Sequence, residues 1–257
     1  MIPKVALQLY SVRELTEKDF LGTIRKVADL GYEAVQFAGF FNHKEEALTE
    51  VLIEKHLSIA GAHVPIEELM SDNFSDIVAF NKQIGNDLII CPYLPETMRK
   101  TLDDVDKVVH LFNELGAKCK SRGMIFAYHN HDFEFEPFEG TTLFDLIFEK
   151  TDPDLVKIEL DSYWAHLGNR DSKAIIEKYK GRIVSVHIKD GKQIENGKHV
   201  NTVIGEGFMD IQGIVSAAKS SGVEWLTVEQ EQFDRDMIES IKLNAARLLE
   251  WTAAKNE

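Results

Sequence analysis

Eight short apolar runs punctuate the chain, at 5–11, 32–39, 57–64, 88–94, 123–130, 156–161, 183–190 and 225–231. Between them the apolar positions change to a three-to-four spacing, the period of a helix rather than a strand. The segment 103–123 carries Val105, Val108, Val109, Leu111, Phe112 and Leu115 in this way, and 235–254 carries Ile238, Ile241, Ala245, Leu248 and Leu249. Segments 19–31 and 44–56 also read as helices. Gly31, Gly116, Gly123 and Gly222 stand near expected helix ends, where a left-handed cap suits glycine. Strands that alternate with helices imply parallel strands joined by crossovers. Eight such units in 257 residues predict one (β/α)8 TIM barrel over 1–257. The rival is an open doubly wound sheet, which uses a glycine-rich first turn; SVRELTEKD (11–19) has no glycine.

A second period runs inside the strands, because successive side chains point to opposite faces. In the seventh run Val184, Val186 and Ile188 oppose Ser185, His187 and Lys189. In the sixth, Val156, Ile158 and Leu160 oppose Lys157, Glu159 and Asp161. In the eighth, Leu226 and Val228 oppose Thr227, Glu229 and Glu231. In the fifth, Met124, Phe126 and Tyr128 oppose Ile125, Ala127, His129 and His131. The apolar face is expected to meet the helices and the other to line the barrel. The segment 190–210 is the main irregular stretch, and it leaves the seventh strand where a lid would.

Composition sets the broad class. Hydrophobic content of 44% and charged content of 28% are ordinary for a globular protein. A formal net charge of -14 repels phosphate backbones, so no nucleic-acid partner is expected. Cys91 and Cys119 form no CxxC motif, which fits a reducing compartment. MIPKVALQLYSVRE lacks the apolar core of a signal peptide, and no apolar run approaches a membrane span. A cytoplasmic protein without a membrane partner is expected.

Four polar residues end four consecutive strands: His129 in FAYHNH, Asp161 in KIELDSYW, His187 in SVHIKDGK and Glu229 in LTVEQEQ. At the C-terminal face of a barrel they would converge. Two imidazoles and two carboxylates suit one divalent ion (Mn, Co, Zn or Mg), with imidazole favouring a transition metal. Such an ion polarises a carbonyl, and Glu229 is then placed to take the proton alpha to it. Lys189 shares the His187 face and is expected to stabilise the resulting oxyanion, with His129 as an acid for a departing hydroxyl. His63, His131, Trp164, Glu159, Gln8 and Tyr10 are the expected substrate contacts. The simpler readings are a core or supporting histidine for His63, an N-cap for Asp161 and a pocket wall for Trp164.

These motifs resemble the sugar phosphate isomerase/epimerase proteins of the xylose-isomerase-like TIM-barrel superfamily, which also holds inosose dehydratases and ketose 3-epimerases. The matching pieces are LQLYSVRE, YHNHDFEF, LDSYWAHLGNRD, VHIKDGK, GEGFMDI and VEQE, spread over nearly the whole chain. The resemblance implies one metal ion held by Glu, Asp, His and Glu from strands five to eight. Asp161, His187 and Glu229 match the last three. The first is a histidine here, so His129, His131 or Glu134 is left as the fourth ligand. The implied activity is an isomerase or epimerase of a small sugar or polyol, with dehydration of a keto-sugar or keto-inositol as the alternative. A homo-oligomer is common in this superfamily.

Overall fold

The structure is a computed structural model that describes residues 2–194 and 197–254. Eight parallel strands close into a barrel: β1 (Lys4–Gln8), β2 (Ala34–Phe37), β3 (Ser58–His63), β4 (Leu88–Cys91), β5 (Ile125–His129), β6 (Val156–Asp161), β7 (Ile183–Ile188) and β8 (Trp225–Val228). Each pairs with its sequence neighbours, and β8 closes on β1. This is the expected TIM barrel.

The two faces of the strands bury separate cores. Val5, Leu7, Val35, Phe37, Phe126, Tyr128, Ile158, Leu160, Val186 and Val228 pack outward against the helices. Ala6, Ala34, Ala60, Leu88, Ile90, Ala127 and Trp225 fill a second, inner cluster. Small residues there leave the C-terminal half of the interior to polar side chains. Val184 departs from simple alternation: the register slips between Ile158 and Glu159, pairing Ile158 with Ile183 and Glu159 with Ser185. The extra residue, Val184, therefore packs on the inner cluster and not on the helices.

A similar slip places His63. Val35 pairs with Ile59 and Phe37 with Ala62, so β3 carries one residue more than β2. Gly61 takes up that residue at φ +107°, and a Cβ there would stand 2.8 Å from Ile90 Cδ1. Ala60 and His63 both face inward as a result, although three positions apart.

The expected helices form at Phe20–Asp29, Glu45–Lys55, Leu102–Lys120 and Met237–Ala253. Gly222 caps a helix at φ +75°. Gly116 does not cap, because its helix runs on to Lys120. A Cβ at Gly116 would lie 2.3 Å from the Leu155 carbonyl oxygen, so close packing accounts for this glycine.

The stretch after β7 is more ordered than its composition predicts. Asp190–Gln193 and His199–Thr202 form an antiparallel hairpin; Glu195 and Asn196 lie outside the described residues. The Asp190 carboxylate accepts from the backbone N–H groups of Gly191, Gly205, Gly207 and Met209, at 2.8, 2.8, 3.0 and 3.1 Å. A Cβ on Gly207 would meet Asp190 Oδ1 at 2.1 Å, which explains the second glycine of GEG. Among the described residues no helix is long and apolar enough to cross a membrane.

Candidate active site and metal centre

The ladder register brings the strand-end residues together. His129 lies beside Glu159 on β6, and Asp161 beside His187 on β7. Asp161, His187 and Glu229 form one group whose ligand atoms all lie within 4.8 Å of one another. His187 Nδ1 stands 2.9 Å from Glu229 Oε2 and 4.0 Å from Asp161 Oδ2.

Asp161 is the expected helix cap through one oxygen, which leaves the other turned to the His187 and Glu229 group. Its Oδ1 accepts from the N–H groups of Tyr163 and Trp164, both at 2.9 Å, and so caps the helix Ser162–Leu167. Its Oδ2 is buried without a hydrogen bond. Lys189 Nζ lies 3.0 Å from that oxygen as an ion pair, in a direction unsuited to a hydrogen bond. A buried carboxylate oxygen with no hydrogen bond, aimed beside an imidazole and a second carboxylate, fits a divalent cation. Mixed nitrogen and oxygen donors suit Mn, Co or Zn better than Mg.

A second group lies deeper. Glu159 Oε1 is approached by His63 Nε2 at 2.6 Å, His129 Nδ1 at 3.1 Å and His187 Nε2 at 3.1 Å. These four residues also meet metal-ligand spacing. His129 belongs to this group; its Nε2 stays 3.8 Å from Asp161 Oδ2. Glu159 is fully buried, so its carboxylate organises the imidazoles from below instead of meeting a substrate. Burial pushes its pKa up, but His187 and His63 outweigh that and hold it well below the usual carboxylate range.

Gln36 is the residue sequence reasoning passed over. Its Nε2 donates to Ala60 O at 3.0 Å and Glu159 Oε2 at 2.5 Å. Its Oε1 accepts from Gln8 Nε2 and lies 2.7 Å from His187 Nε2. Gln8 is thereby fully buried behind Gln36, and not a substrate contact as expected. An amide oxygen only accepts, so it fixes the proton on His187 Nε2. Nδ1 is left to face Glu229 and Asp161. Alternation alone places Gln36 inward, but nothing in the sequence marks its partners.

Charge follows burial and partners. Burial lowers His187, yet Glu159 and Glu229 together raise it to about 10, so near pH 7 Nδ1 also carries a proton, one that binding of an ion would displace. Burial lowers His129 to about 4 and His131 to about 3, so both are neutral near pH 7. A neutral His129 gives a proton to a departing hydroxyl less readily than a charged one. The proton-bearing group at the pocket is Lys189. Burial lowers it, but Asp161, Glu229 and Glu231 raise it well above its ordinary value. Its Nζ lies 2.9 Å from Glu229 Oε2 and 2.7 Å from Glu231 Oε1, and 5.2 Å from the Trp164 ring centre. Burial pushes Glu229 up, but Lys189 and His187 hold it well below the usual range.

Glu134 is not positioned as a ligand. Its two oxygens accept from the Tyr128 hydroxyl and from His131 N at 2.7 Å, on the outward face of β5. It thus anchors the turn that carries His131, whose buried Nδ1 has no hydrogen-bond partner.

Above these groups opens a cavity of about 950 Å³. His63, His129, His131, Trp164, Lys189 and Glu229 line its floor, and Tyr10 and Glu231 also reach it.

A parallel barrel with ionisable groups gathered at the C-terminal ends of its strands is the architecture of a barrel enzyme. The chain belongs to the xylose isomerase-like TIM barrel family, whose model matches residues 24–254. It is similar to an inosose dehydratase of Lacticaseibacillus casei, 29% identical over 149 residues, covering 51% of this chain and 49% of that protein. The chain therefore spans about half the length of that relative. An inosose dehydratase of Clostridium tetani is 24% identical over 225 residues, covering 80% of this chain and 71% of the other. A crystal structure of a sugar phosphate isomerase/epimerase from Parabacteroides distasonis superposes with a TM-score of 0.82 at 26% identity, covering 96% of this chain and 98% of that one.

Proposed function

We propose that the chain is a divalent-metal-dependent isomerase or epimerase that removes the proton alpha to the carbonyl of a small keto-sugar or keto-polyol. The observation that carries this reading is the ion pair of Glu229 and Lys189 on the pocket floor, 2.9 Å apart. One is an anion placed to take a proton; the other is a cation placed beside the oxygen that becomes negative. Asp161, His187 and Glu229 would hold the ion, which would supply Lewis-acid polarisation of the carbonyl.

The rest follows from the chain's own groups. The C–H bond alpha to the carbonyl breaks, its proton passes to Glu229, and its electron pair becomes the C=C bond of an enediolate. Lys189 holds the oxygen that gains the charge. Return of the proton to the neighbouring carbon, with that carbon's hydroxyl proton passing to the former carbonyl oxygen, isomerises; protonation of the opposite face of the first carbon by water, with Glu229 later losing its proton to solvent, epimerises. Trp164 and the histidine floor bury the site and weaken competition from water. We read the chain as one barrel domain over 1–257, acting in the cytoplasm without nucleic acid.

A second reading is dehydration, favoured by the inosose dehydratases among the relatives. It shares the proton abstraction, then expels a β-hydroxyl that leaves as water after taking a proton, which Lys189 is placed to give. Incubating the manganese-loaded protein in D2O with ketoses and keto-inositols separates the two. Deuterium at carbon without loss of water indicates isomerisation or epimerisation, and a product lighter by one water indicates dehydration. Neither result, over a broad panel, overturns both readings. Glu229→Gln should abolish the exchange with the fold intact.

A further inference from the structure

The cavity has two unlike halves. Its floor is polar, as described above. The opposite wall comes from the segments after β2 and β3 and from the helix Phe74–Gln83, through Phe40, Phe41, Val64, Pro65, Ile77 and Phe80. This wall is built, not incidental. Phe40 is packed between Phe37 and Phe80, with ring centres 5.0 and 4.6 Å away. Phe41 leans on Phe20 at 4.8 Å. Phe41 and Asn42 hold left-handed backbone at φ 50° and 58°, a conformation a bulky residue avoids unless its surroundings fix it. On the near side Tyr93, 44% exposed, stands edge-on to His131 at 5.5 Å and continues the apolar lining to the mouth.

Size and charge narrow what fits. A cavity of about 950 Å³ is at the upper end of the range that encloses ligands far larger than a single sugar ring. A bare keto-sugar over the floor would leave the phenylalanine wall wet, at a cost in apolar surface. Among the described lining residues there is no arginine, and Lys189 already faces three carboxylates. Glu68 and Asp76 add negative charge at the rim. A phosphate finds no free side-chain cation among these lining residues.

We infer that the substrate is an uncharged sugar or polyol bearing an apolar, aromatic-sized substituent, which lies against Phe40, Phe41 and Phe80 while the polar ring sits over the floor. This rests on the reading of the floor as a sugar or polyol site, but not on the reaction performed there. The test is therefore binding, not turnover. Calorimetry on the manganese-loaded full chain compares phenyl with methyl β-D-glucosides and β-D-galactosides, and glucose 6-phosphate with glucose. The phenyl glycosides are expected to bind at least about tenfold tighter than their methyl partners. Phe41→Ala, at an exposed position, and Phe80→Leu should each erase most of that advantage and leave methyl glycoside binding unchanged. Equal binding of phenyl and methyl glycosides, an advantage that survives both substitutions, or no binding of either overturns the inference. So does tighter binding of glucose 6-phosphate than of glucose. A protein that shows the phenyl advantage but exchanges no deuterium keeps this inference and loses the proposed chemistry.

Discussion

Gln36 Oε1 lies 2.7 Å from His187 Nε2, and this contact decides which ring nitrogen of His187 is available. The imidazole must present Nε2–H to the amide, so Nδ1 turns to Glu229 and Asp161. Gln36→Leu keeps the volume close and removes the acceptor. Metal affinity measured by calorimetry with manganese should fall about 10–100-fold, alongside a stability loss of about 1–3 kcal/mol for each buried partner left unpaired. Unchanged affinity would show that the tautomer is set elsewhere.

Lys189 ion-pairs with Asp161 and Glu229, at 3.0 and 2.9 Å. Lys189→Met removes one of the two cations beside buried Asp161 and Glu229, leaving His187 alone to face both, a loss of roughly 3–5 kcal/mol in unfolding experiments on the metal-free protein. Added manganese should restore most of the melting temperature, since it replaces the missing positive charge. Turnover should not recover with it, because the group beside the developing oxyanion is gone. Recovery of both on manganese addition would remove Lys189 from the chemistry.

Glu134 gives the stability a pH dependence of defined sign. Burial pushes its carboxyl up from 4.5 to about 7, against the donors Tyr128 and His131 N. Between these values the folded chain binds a proton that the unfolded chain has lost. The contribution is complete below about pH 4.5 and is lost as pH rises to about 7, on the order of 3 kcal/mol. Glu134→Gln keeps an acceptor for His131 N and should flatten urea stability over this window. A wild-type slope that persists in the variant assigns the effect to another group.

Gly61→Ala tests the bulge that points His63 inward. The new Cβ meets Ile90 and Leu88 side chains at 2.8 and 3.1 Å, at a positive φ that disfavours alanine. Strain and overpacking together should cost about 2–4 kcal/mol by denaturant titration. The histidine set around Glu159 should also loosen, visible as a changed His63 imidazole resonance. A shift of under ~0.5 kcal/mol would mean that β3 tolerates the other register.

The barrel was legible because parallel strands and crossover helices have different periods, and the polar ends of β5 to β8 kept alternation even though β7 breaks it at Val184. Asp161, His187 and Glu229 were legible for the same reason. Alternation failed at Val184 and gave no account of His63, since each sits at a register slip with no signature except a permissive glycine at 61. The place of His129 was also hidden. Its ladder partner is Glu159, and pairing between strands about thirty residues apart is fixed by barrel stagger, which no local pattern carries. The ordering of 190–210 depended on a carboxylate reaching amides fifteen to nineteen positions away.

That carboxylate, Asp190, joins the end of β7 directly to the turn before the helix Ile211–Ser221. Four amides on one side chain make a clasp, so the hairpin between is an appendage closed at its base. Its return strand is held at the barrel mouth as well, where Asn201 Oδ1 accepts from Glu231 N at 3.0 Å, so the clasp and this bond together fix the hairpin beside His187, three residues upstream of Asp190. The same bonds give the turn a kinetic signature: the Gly205, Gly207 and Met209 amides should exchange with deuterium on the timescale of the barrel and not of a surface loop.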